Sequence, residues 1–303
     1  MGEQHQSPLP KIEVVNLKHL EKPLTKLIES VSKGVGGYYK PIGIIREAKA
    51  KAEANLILAR ANAEEQEIAF RAAERLTFME MRRQKNIDAI VDTASKFLPK
   101  SVDEKPVDDD WMVQFIQQSQ DISDAEMQQL WAKILAGEVS KPKTFSRRTL
   151  ERVRTVGRDE AELFTKVCRT MWGWKENYLF RINEEVANKF DKEIGINAYA
   201  LNHLKNIGLL SAKEIWYGIE ELDTFGAGYF SEDFTLSWPN GKSPKSDSPF
   251  PAPPRPFTIT PLTDVGMELA TIVSCEPIPN FGKEIMEEIA KEYEMTLTIS
   301  SAE

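Results

Sequence analysis

The run KPKTFSRRTLERVRTVGR holds the residue types best suited to chemistry. Between positions 141 and 158 it carries seven Lys or Arg (Lys141, Lys143, Arg147, Arg148, Arg152, Arg154 and Arg158) against one Glu. Guanidinium groups present planar forks of donors that match phosphate and carboxylate oxygens. A helix starting at Ser146 sets Arg148 and Arg152 four apart and turns Leu150 and Val153 toward a core. Such a surface could hold phosphate, nucleic acid or an acidic partner. It could equally pair within the molecule or with another subunit, including the acidic 103–126 section, or remain a solvated face.

A second candidate is GVGGYYKP, from Gly34. It lacks the Lys-Ser/Thr ending of a phosphate loop and follows no predicted strand. Gly34, Gly36 and Gly37 therefore read as a hinge, because glycine breaks a helix and permits positive φ. The rival reading is a membrane surface contact through Leu24, Leu27, Ile28, Val31, Tyr38 and Tyr39. Lys18, Lys22, Lys26, Lys33, Lys40 and Arg46 flank these residues and would face anionic lipid. The same apolar residues could instead dock the helix against its own domain.

The remaining chemistry is sparse. His5, His19 and His203 show no ligand spacing, and Cys168 and Cys275 have no histidine nearby in sequence. Cys168, among Phe164, Val167 and Met171, reads as a buried small hydrophobe. No nucleophile elbow, zinc-protease motif or kinase set is visible. No catalytic residue, cofactor or metal site is predicted, and an enzyme without a recognisable motif stays as an alternative.

These groups must be positioned by a chain of 303 residues, with 41% apolar residues and a net charge of -8. That length suits about two domains, and the acidic balance gives no global pull toward nucleic acid. No run of about 18 apolar residues is present to span a bilayer. Two cysteines fit a reducing cytoplasm.

Residues 1–44 read as a flexible lead, an amphipathic helix and the glycine hinge. Residues 45–98 read as a long helical arm without Pro or Gly up to Phe97. Ala52, Leu56, Ala59, Ala63, Gln66, Phe70 and Ala73 form a heptad-like face. After a stutter, Leu76, Met79, Arg83, Ile87, Ile90, Ala94 and Phe97 continue in another phase. Small residues on the seam favour an arm that needs a partner.

Residues 108–190 read as a helical body, with Asp108–Asp110 capping its first helix and Ser123 with Glu126 forming a capping box before Met127, Leu130, Trp131, Ile134 and Leu135. Gly137 is a candidate stop for that helix. Residues 195–303 read as a winged-helix-like α+β unit: INAYALNHLKNI, two strands in IWYGIEEL and PFTITPLT around a Pro/Ser-rich loop, then helix and a last strand. The helix before the wing has only His203 and Lys205 as basic residues, which makes it a poor groove reader.

The stretch DWMVQFIQQSQDISDAEMQQLWAKILAGEVSKPKTFSRRTL, with ALNHLKNIGLLS and LTDVGMELA, resembles a bacterial family known as domain of unknown function 2806. The likeness is most specific at 122–150 and brings no catalytic residues with it. The last two pieces are also similar to abortive-infection alpha proteins, a resemblance that implies a setting in bacterial defence against phage.

The expectation is thus a mainly α protein with a long N-terminal helical arm, a central helical bundle and a C-terminal winged-helix-like unit. It is read as a cytoplasmic, non-enzymatic, oligomeric interaction protein. Its partner would be a second copy or a helical protein, with an anionic membrane surface as an alternative and nucleic acid ranked lower.

Overall fold

The computed structural model describes residues 21–36, 66–174, 178–182, 185–217, 223–239, 241 and 257–301. The protein is mainly helical, with a mixed α/β region toward the C-terminus. Its described residues belong to two compact units. One takes residues up to 123 and 131–143, the other 124–130 and 144–303.

The first unit contains α1 (Glu21–Gly34), α2 (Gln66–Phe97) and α3 (Asp109–Ser119), together with most of α4 (Ala125–Ser140). Asp108 caps α3: its side chain accepts the Trp111 backbone N–H at 2.8 Å, as the acidic run predicted. Trp111 stacks on Phe115, which meets Trp131 of α4 edge-on at 5.4 Å between centroids. Leu27 and Val31 of α1, Ile90 and Ala94 of α2, and Ile134 and Leu135 of α4 are almost fully buried. Burying each Leu, Ile or Val contributes roughly 1.5–3 kcal/mol.

Two expectations about α4 need correction. Asp124, not Ser123, caps it, because its carboxylate accepts the N–H groups of Glu126 at 3.0 Å and Met127 at 2.9 Å. Gly137 does not stop the helix, which runs on to Ser140. A single glycine costs a helix interior only about 1 kcal/mol, which surrounding burial outweighs.

The second unit opens with α5 (Arg147–Thr155) and α6 (Arg158–Cys168), then β1 (Met171–Trp174), β2 (Tyr178–Ile182), α7 (Glu185–Ile194) and α8 (Ala198–Asn206). Next come β3 (Ile215–Tyr217), β4 (Thr224–Tyr229), β5 (Glu232–Ser237) and β6 (Phe257–Pro261). α9 (Asp264–Ala270), α10 (Phe281–Glu292) and β7 (Thr296–Ser301) complete it.

The seven strands among the described residues join one sheet in the order β3-β6-β2-β1-β4-β5-β7, every neighbouring pair antiparallel. The sheet therefore draws on residues either side of the expected 190–195 boundary. It also includes β1, β2, β4 and β5, which the sequence reading assigned to no strand. Trp172, Phe180, Phe225, Tyr229, Phe234 and Leu236 turn into a core closed by Phe281, Ile285 and Ile289 of α10. Trp172 lies 5.3 Å from Tyr229 and 5.5 Å from Phe234, ring centroid to ring centroid. Tyr229 ties two separate backbone segments together: its hydroxyl donates to Arg169 O at 2.9 Å and accepts from Ile278 N at 2.8 Å.

Candidate contact surfaces

The arginine helix α5 is held at its start by two residues. Ser146 is its N-cap, accepting the Thr149 N–H at 3.3 Å. Glu268, on α9, accepts from the Ser146 N–H at 2.7 Å and from the Thr149 hydroxyl at 2.5 Å. A carboxylate at a helix N-terminus also meets the positive end of the helix dipole. Thr149, Leu150 and Val153 are buried beneath the helix, as the spacing predicted for Leu150 and Val153.

Arg147, Arg148 and Arg154 are exposed. Arg152 is half-buried with its guanidinium beside Gly208, where an added Cβ would come within 3.2 Å of one of its nitrogens. Arg158 is held inside the unit by Glu126 at 2.7 Å and Glu162 at 3.0 Å. These carboxylates raise its pKa, the hydrogen bond to Glu162 first. Lys141 and Lys143 belong to the other unit. There the Lys143 backbone N–H donates to the buried Glu138 at 2.7 Å, tying the loop to the helix. The structure thus gathers Arg147, Arg148, Arg152 and Arg154 on one helix and commits Arg158 to internal pairs.

The basic residues of α8 are also paired. His203 Nε2 lies 2.6 Å from Glu160, and Lys205 donates to Glu214 at 3.0 Å. Tyr199, on the same helix, is 87% exposed, a large aromatic with no cover.

The expected membrane-facing residues sit differently from a free amphipathic surface. Leu27 and Val31 are fully buried, while Leu24 and Ile28 are half-buried. Their face of α1 packs on α3. Gly34 marks the closest approach, since a Cβ there would fall 2.5 Å from Met112 Cγ and 3.0 Å from Ile116. Gly34 is therefore a packing glycine. Gly36, at φ +73, supplies the left-handed turn that ends the helix. Tyr38, Tyr39 and Gly37 lie outside the described residues. Lys26 donates to Asp103 O at 2.6 Å, and Lys33 pairs with Asp109 at 3.1 Å.

The arm divides into two halves. From Asn86 onward α2 is docked, with Asn86, Ile87, Ile90, Val91 and Ala94 buried. From Glu67 to Lys85 no described side chain of α2 is buried. Ile68 is 72% exposed, Leu76 60% and Phe78 70%. Arg82 and Arg83 lie just before the junction and clasp Asp121 at 3.1 and 2.9 Å. The part of the expected arm at 45–65 lies outside the described residues.

Among the described residues, no group of three or more His, Cys, Asp or Glu is placed to hold a metal ion. No helix among them is long and apolar enough to cross a membrane.

The described residues form a mainly helical protein with a mixed α/β region toward the C-terminus. The chain belongs to the family described as protein of unknown function (DUF2806), which it matches over residues 70–286. No curated protein and no solved structure matches it.

Proposed function

We propose that the protein acts by contact rather than catalysis, as an assembly protein whose arm pairs with the arm of a second copy. The observation that carries this reading is the continuity of one face of α2. Ile87, Ile90 and Ala94 are buried on it. Leu76 lies 11 residues before Ile87 and Ile68 lies 22 residues before Ile90, close to three and six whole turns of a 3.6-residue helix, yet both stand mostly exposed. A face that is core at one end and bare at the other supports a partner along the bare end.

Light scattering on the full chain and on Ile68→Glu with Leu76→Glu tests the arm. A discrete oligomer whose mass falls in the double variant is expected. A wild-type monomer would overturn the reading. Removing the whole of 45–97 is a poorer test, because Ile87, Ile90 and Ala94 belong to the core.

The winged-helix reading is part of the same proposal. It is supported by the strand order β3-β6-β2, by α7 and α8 joined through Gly195 at φ +76, and by the long insertion between β3 and β6. In that reading α8 takes the place of a recognition helix. With His203 and Lys205 held by carboxylates, its surface suits protein better than phosphate. Phage defence is the biological setting that the likeness to abortive-infection alpha proteins implies. Comparing phage plaque counts with and without the protein tests it.

A further inference from the structure

We infer that the β7 edge of the sheet is a second self-association site, distinct from the arm, at which two copies join β7 to β7 antiparallel in one continuous sheet. The sheet ends in two different ways. At one end β3 has three residues, too short to template another strand. At the other, β7 runs for six residues, TLTISS, paired along its full length to β5 from Thr296↔Ser237 to Ser301↔Glu232. Its outer edge therefore offers the N–H and C=O groups of alternate residues. The strand itself holds no charge, no Lys and no Pro to protect that edge. Thr296, Thr298, Ser300 and Ser301 are exposed, and Ile299 is 42% exposed.

The strand's own sequence selects a second copy as the occupant. Ile299 pairs with Phe234 and Leu297 with Leu236, so both lie on the core face of the sheet, beside buried residues. Thr296, Thr298 and Ser300 take the other face. An antiparallel pairing with its two-fold axis at Thr298 sets Leu297 opposite Ile299 of the second copy, twice. It sets Thr298 opposite Thr298, and Thr296 opposite Ser300. Apolar meets apolar, hydroxyl meets hydroxyl, and no charge is opposed. The row Leu236–Leu297 and Phe234–Ile299 then continues across the junction under new cover. Such a contact is isologous and closes on itself.

The register makes a sharp test in the full chain. Opposed residues on the axis have Cα atoms about 4.5–5.5 Å apart, within disulfide reach. Ser300 would lie roughly 13 Å from its own counterpart, from a four-residue offset at about 3.3 Å per residue. Under a mild thiol oxidant, Thr298→Cys is expected to form a covalent dimer at least ~10-fold faster than Ser300→Cys. Peptide mass spectrometry should show a 298–298 link. Equal rates, no dimer, or a link to Cys275 instead would overturn the proposal. The pair is repeated in the Ile68→Glu, Leu76→Glu background, where the 298 link is expected to persist. Each contact can then fail without the other.

Discussion

The carboxylate of Glu268 receives the hydroxyl of Thr149 at 2.5 Å across 119 residues of chain. The same oxygen accepts the Ser146 N–H, so one side chain of α9 completes the start of the arginine helix. Glu268→Ala leaves a buried hydroxyl and a helix N-terminus without that acceptor. The expected cost is about 2 kcal/mol, and about half as much for Glu268→Gln, which keeps an oxygen. Urea unfolding at unchanged slope measures both. Wild-type stability in Glu268→Ala would remove this role.

Two glycines should rank by what surrounds them. At Gly266 an added Cβ would fall 2.1 Å from the backbone oxygen of Leu209, which has no rotamer to yield. At Gly34 the nearest atom is the flexible Met112 side chain, at 2.5 Å. Gly266→Ala is expected to cost about 3 kcal/mol and Gly34→Ala about 1–2 kcal/mol. Thermal melts of the two variants check the order.

Acid should loosen the start of α6. Glu160 accepts the Gly157 N–H at 2.8 Å and contacts His203. These interactions hold its pKa below the ordinary carboxylate value, the Gly157 hydrogen bond most of all. A depressed folded pKa contributes stability that is fully present above about pH 4.5 and is lost as pH falls through the folded value. Asp121, lowered chiefly by its hydrogen bond from Arg83, adds to the same slope. In Glu160→Gln, unfolding free energy measured from pH 6 to pH 3 is expected to fall less steeply than in the wild type.

Beside the aromatic core of the sheet, Arg181 of β2 is buried against Asp191 of α7. Burial lowers the guanidinium pKa and raises that of the carboxyl. Removing one charge strands the other, so Asp191→Leu is expected to cost about 3–5 kcal/mol. Arg181→Met combined with Asp191→Leu should recover most of it. Denaturant midpoints of the two single variants and the double variant read the coupling directly.

Local signals in the sequence carried the helices well. Asp108 and Ser146 cap where their side-chain chemistry predicts, and Leu150 and Val153 face inward as their spacing requires. The cap of α4 slipped by one residue because Ser123 and Asp124 are both good caps and only the backbone path chooses. Most of the sheet was harder to see. In β4 the inward residues Phe225, Ala227 and Tyr229 alternate with Gly226 and Gly228, and two small residues hide the two-residue period among turn-like neighbours. In β1, MWGW shows no alternation of apolar and polar residues at all. The contact surfaces divided similarly. Composition located the arginines, but which of them bind carboxylates depends on residues far along the chain. The apolar spacing of α1 was plain, yet its packing partner α3 lies beyond a segment of more than seventy residues.

A protease would meet α2 as two substrates joined end to end. Opening a helix costs little where no side chain is buried and much where Ile87, Ile90 and Ala94 hold it. Trypsin should therefore cut at Arg71 and Arg75 and stall near Asn86, leaving a ragged ladder above a resistant fragment. Pairing through the bare half would cover those sites, so digestion should slow as protein concentration rises. The cleavage pattern would then read out the pairing proposed for the arm.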